Sequence, residues 1–88
     1  MNSRNSELSK EAIIKAINNQ IENNDPAETK HTYDRLMAEI GDHEEVMKYL
    51  GIVMSAEIFD VLKNQKPFNR QRYIERLNKL PDTEWLDK

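Results

Sequence analysis

The chain is predicted to be all-α, a compact four-helix bundle with a long, largely buried third helix, and three observations lead there. It has only two glycines and three prolines. Apolar residues recur at spacings of three and four, and no stretch shows the alternation of β-branched residues that marks a strand. The helical stretches are joined by short polar turns, which is the economical way to pack helices of this length.

The first helix is expected from about Ser9 to Asn23, with Ser9 as N-cap. Ile13, Ile17 and Ile21 form its buried stripe, widened by Leu8 and Ala16, and the polar run ENND ends it. The second start is DPAE: Asp25 is expected to cap, Pro26 to take the first helical position, and Glu28 to complete a capping box. Tyr33, Leu36, Met37 and Ile40 form its apolar stripe, and Gly41 supplies a left-handed closing residue.

The third helix is expected from Asp42 to about Asn64, long enough to act as the hub, with Asp42 capping and Glu45 in the capping-box position. Val46, Leu50, Val53, Met54 and Val61 make one apolar face, and Met47, Ile58, Phe59 and Leu62 carry it far around the cylinder. That width calls for neighbours on several sides or for a partner. Gly51 and Ser55 lie on a second stripe with Glu44 and Lys48, where another backbone can come close. KPFN forms the next turn, Asn69 caps, and a fourth helix runs to about Lys79 with Tyr73, Ile74, Leu77 and Leu80 inward. Pro81 stops it, and Trp85 and Leu86 in the tail DTEWLDK are expected to dock back on the bundle.

At 88 residues the chain makes a single domain, with residues 1–8 as a polar arm and 82–88 as a tail. A domain of this size buries only roughly 60 to 65% of its unfolded surface, which disfavours a deep catalytic cleft. There are no cysteines, so disulfides and thiolate metal sites are out of reach and a reducing compartment suits it. The polar opening MNSRNSELSKE has no apolar core of the kind a signal peptide needs, and no run approaches a membrane span. A soluble cytoplasmic protein is expected.

The net charge of −3 conceals an uneven layout. Residues 1–62 carry 6 Lys/Arg against 12 Asp/Glu, whereas residues 63–79 carry 6 against 1. Lys63, Lys66, Arg70, Arg72, Arg76 and Lys79, interleaved with Phe68 and Tyr73, form a basic surface of the kind nucleic acid would use. Overall acidity and the inward place of Tyr73 oppose that role, and pairing within the molecule or plain solvation is the simpler expectation.

Two further features invite chemistry. His43-Glu44-Glu45 begins like the zinc motif H-E-x-x-H, but Met47 stands where the second histidine belongs, leaving only distant His31. Asp42, Glu44 and Glu45 are explained more simply as a capped, acidic helix start. Glu57 projects into the apolar arc of the third helix, so it is either a paired carboxylate, with Arg35 or an arginine of the fourth helix, or a functional acid. No catalytic residue, cofactor or metal ligand is assigned.

From Lys10 to Pro81 the segments AINNQIENNDPAET, TYDRL, GDHEE, GIVMSAEIFDVL, KPFN and YIERLNKLP resemble a family of small helical bacterial domains that carries no established activity. The resemblance implies a metal-site-like pattern in relatives, with one H-x-x-x-H pair in the first helix and a second near the start of the third. Alignment on Gln20 puts Lys10 and Ile14 at the first pair, and alignment on Gly51 puts Glu44 and Lys48 at the second. Histidine is missing from all four positions, and a cation beside an aliphatic cannot hold a divalent metal. Pairing of Glu44 with Lys10 or Lys48 is expected in its place. The function expected first is a non-enzymatic protein-binding or regulatory module, acting through a helical surface as a homodimer or on another protein. A nucleic-acid-associated regulator is the alternative, and a metal-dependent enzyme using His31, His43 and Glu57 ranks last.

Overall fold

The structure, a computed structural model, describes residues 9–87. Its elements are α1 (Lys10–Asn23), α2 (Ala27–Ile40), α3 (His43–Asn64), α4 (Arg70–Lys79) and a closing 3-10 turn (Glu84–Asp87). The expected all-α bundle of four helices is the fold. The arm 1–8, including Leu8, lies outside the described residues.

Three of the four helix starts have a local cause. The Ser9 hydroxyl accepts from the Ala12 amide at 3.1 Å, Asp42 from Glu44 at 3.0 Å and Asn69 from Arg72 at 3.0 Å. Each satisfies a donor that the first turn leaves without a helical partner. Glu45 turns away from the expected capping box, its carboxylate lying 3.9 Å from Lys48.

The second start differs from expectation. Pro26 is extended (φ −74°, ψ 149°) and occupies the N-cap itself, so α2 begins at Ala27 with no side-chain cap. Asp25 instead reaches Arg70 at 2.8 Å, a charge-assisted contact between exposed groups. Gly41 closes α2 at φ +78°, a conformation that costs any side chain bearing a Cβ.

The hub is α3, which at 22 residues is about 33 Å long, close to the 37 Å longest dimension of the molecule. It packs against α1, α2 and α4. Val46, Met47, Leu50, Val53 and Met54 are buried on it, meeting Ile13 and Ile17 of α1, Leu36 of α2, and Tyr73, Leu77 and Leu80 at the far side of the core. Each fully buried Ile or Leu contributes about 1.5–3 kcal/mol.

Two apolar expectations need correcting. The buried stripe of α2 is Thr29, Thr32 and Leu36, while Tyr33 and Met37 are half-buried and Ile40 is exposed. Both threonines are buried, and the Thr29 hydroxyl is satisfied by donating to Gln20 Oε1 at 2.8 Å. Leu86 of the tail is exposed rather than docked, while on α3 Phe59 and Leu62 are 60% and 56% exposed, so no neighbour among the described residues covers that part of its wide apolar face. Trp85 does dock, with the Arg76 guanidinium 4.7 Å from its ring centroid and its indole N–H donating to the Asp82 carbonyl.

Candidate functional site

Among the described residues, the helices leave one side of α3 without a neighbour along its middle. α1 flanks that side near its start, through Lys10, Ile13 and Ile14, and the tail flanks it near its end, through Trp85 and Leu86. Between them runs an open groove of about 1380 Å³, with Gly51, Ile52, Ser55 and Ala56 along its floor and Phe59 at its far end. That is larger than the roughly 300–1,000 Å³ of a small-molecule pocket, and its open shape suits a helix laid into it. Gly51 keeps the floor low: a Cβ built there would stand 3.7 Å from Ile13 Cγ2, an ordinary contact, so packing inside the fold does not require the glycine.

The structure brings Lys10, Ile14, Glu44 and Lys48 together as lining of this groove. It does not join them as expected. Among the described residues no ion pair links Glu44 to Lys10 or Lys48, because Lys48 leans back along its own helix to Glu45. All three charges are exposed, so water solvates them at little cost and an exposed pair would gain little.

Glu57 faces away from the groove and is 0% exposed. Arg72 grips it with two bonds, Nε to Oε1 at 3.1 Å and Nη2 to Oε2 at 2.7 Å. The Asn69 backbone N–H donates to Oε2 at 3.1 Å, and Arg76 Nη1 stands 3.7 Å from Oε1. Asp60 shares both arginines, at 3.3 Å from Arg72 and 3.5 Å from Arg76. The hydrogen bond to Glu57 pushes the Arg72 guanidinium above its ordinary pKa, with burial opposing the rise. Every carboxylate oxygen has a donor, which makes this a fastening between α3 and the start of α4 rather than a poised acid. Arg35, the other partner considered, instead donates to the Leu80 and Leu77 carbonyls at 2.7 and 3.1 Å, closing the C-terminal end of α4.

The basic surface is dismantled by the same contacts. Arg72 and Arg76 face Glu57 and Asp60, and Arg70 faces Asp25. Lys63 lies 5.8 Å from the Phe59 ring centroid, and Lys66 and Lys79 are exposed at separate places. His31 is exposed, and His43 Nδ1 is hydrogen-bonded to the Tyr33 hydroxyl at 2.8 Å. Among the described residues no three of His, Cys, Asp or Glu gather as metal ligands.

Sequence reasoning missed Gln20. Its Oε1 accepts from both Thr29 and Tyr73, each at 2.8 Å, tying α1 to α2 and α4. Burial raises the Tyr73 pKa, with Glu57 adding to the rise and the bonds to Thr29 and Gln20 opposing it. A polar residue at a half-buried helix position was the only signal available. Compared with known proteins, the chain matches no family model, no curated protein and no solved structure.

Proposed function

We propose that the chain is a non-enzymatic protein-binding or regulatory module that works in the cytoplasm and acts through the groove over α3. The observation that carries this reading is the apolar line formed by exposed Phe59 and Leu86 with half-buried Ile52 and Trp85, beside a floor of small residues. Exposed apolar surface of this kind, rimmed by charge, favours a partner's helix over solvent. The lack of cysteine fits a reducing compartment, and no helix among the described residues is long and apolar enough to cross a membrane. The nucleic-acid alternative loses support because three of its six basic side chains are held in ion pairs.

A photoreactive side chain placed at Ser55 and activated in cells tests the reading. The expected result is one discrete cross-linked adduct that disappears when Ile52→Glu is added. No adduct, or one indifferent to Ile52→Glu, overturns it.

A further inference from the structure

We infer that the partner of the groove is a second copy of this chain, with the two α3 helices crossing antiparallel about a two-fold axis. The inference rests on the binding-module reading above and names its occupant.

Two features of α3 carry it. Beyond the first turn, its outward stripe is Lys48, Ile52, Ser55, Phe59 and Leu62, exposed except for half-buried Ile52. With Glu45 these recur at alternating steps of three and four, the spacing of a helix-pairing seam. The stripe also maps onto itself about its own midpoint. Ile52 and Ser55, Lys48 and Phe59, and Glu45 and Leu62 each stand equally far on either side of the midpoint between Val53 and Met54. An antiparallel copy therefore sets Ile52 against Ser55 of the second copy, beside Gly51, where no side chain holds the helices apart. It also brings the Lys48 stem of one copy against Phe59 of the second, whose ring has Lys63 of its own chain 5.8 Å from its centroid. A two-fold interface demands this kind of self-matching surface.

Charge selects the same orientation. The start of α3 carries Asp42, Glu44 and Glu45, and its end carries Lys63 followed by Lys66. In this register Glu44 of each copy lies opposite Lys63 of the other, with Lys10 and Lys48 beside the acids and Asp60 beside Lys63. Parallel pairing would set like against like, and a rim of like charges opposes association.

The test uses two reversed chains, one with Glu44→Lys and Glu45→Lys, the other with Lys63→Glu and Lys66→Glu. All four positions are exposed, so both chains should fold, which circular dichroism checks. Sedimentation equilibrium should show a native dimer, each reversed chain self-associating at least about tenfold more weakly, and the mixture of the two recovering native affinity. A native chain that stays monomeric up to about 1 mM overturns the inference, as do reversed chains that dimerise as the native chain does. If the native chain is monomeric while the Ser55 cross-link in cells captures a different protein through Ile52, the second-copy inference fails and the binding-module reading stands. If the chain is monomeric and Ser55 captures nothing, both fail.

Discussion

Replacing Arg72 by Met while leaving Glu57 in place should be among the most damaging single changes to this fold. Glu57 has no exposed surface, and Arg72 supplies both of its side-chain hydrogen bonds. Without Arg72, the carboxylate keeps the Asn69 amide at 3.1 Å and the more distant Arg76 at 3.7 Å. Stranding a buried charge costs about 3–5 kcal/mol, and because Arg72 itself reaches solvent we expect the lower end, about 3 kcal/mol. At about 1 kcal/mol per molar urea for a small domain, the unfolding midpoint should fall by about 3 M, a large share of the total stability. The companion variant is Arg72→Met with Glu57→Leu, which removes both charges and leaves apolar groups of similar bulk. It should recover most of the loss, since a buried ion pair exchanged whole for apolar packing is close to neutral. Urea titration of the four chains of this cycle measures the coupling directly. A cost for Arg72→Met below about 1 kcal/mol, or no recovery in the double variant, would refute the picture of Glu57 as a carboxylate held by its arginine.

Other consequences follow from single positions. Gly51→Ala should stabilise the monomer by about 0.5–1 kcal/mol, since glycine is a poor helix former and the added Cβ meets Ile13 at 3.7 Å; thermal melting of dilute protein reads it. The same substitution should weaken self-association, because it raises the groove floor. Gly41→Ala should destabilise by about 1 kcal/mol or more, since φ is +78° there, as denaturant titration would show. Tyr73 has its pKa raised by burial, so the fold favours the protonated phenol. Its stabilisation is complete below the unfolded value of about 10 and is lost as pH rises through the higher folded value. Tyr73→Phe should therefore soften the alkaline loss of stability between pH 9 and 11 or so, measured as urea midpoints on the two chains.

The helices were legible because their signals are local. Ser9, Asp42 and Asn69 cap from their own side chains, and the three- and four-residue spacing of Val46, Leu50, Val53 and Met54 assigns a buried face without reference to any neighbour. Pro26 misled because a proline suited to the first helical turn is equally suited to the extended N-cap, and the contact of Asp25 with Arg70, 45 residues on, was not readable from the local sequence. Glu57 could be marked as a carboxylate among apolar residues. Its partner could not be fixed, since Arg35 and the arginines of α4 come near it only through the packing of three helices. Phe59 and Leu62 showed the opposite limit: apolar periodicity says that a face is to be covered, and the covering element need not be in the same chain. Glu44 and Lys48 share a stripe by helical phase, whereas Lys10 was set beside them only by the family resemblance; all three line the groove, yet pairing depends on side-chain reach, and Lys48 finds Glu45 on its own helix first.

Cysteine cross-linking tests the interface on α3 most directly, because the chain has no cysteine of its own. Ser55→Cys puts a thiol beside the two-fold axis, where the thiols of two copies meet. Glu44→Cys puts one near the end of the helix, about 28 Å along the axis from its counterpart in an antiparallel pair. Under mild oxidation, Ser55→Cys should form a disulfide dimer rapidly and Glu44→Cys should not. Equal rates at both positions, or faster linkage at Glu44→Cys, would contradict an antiparallel pairing of α3.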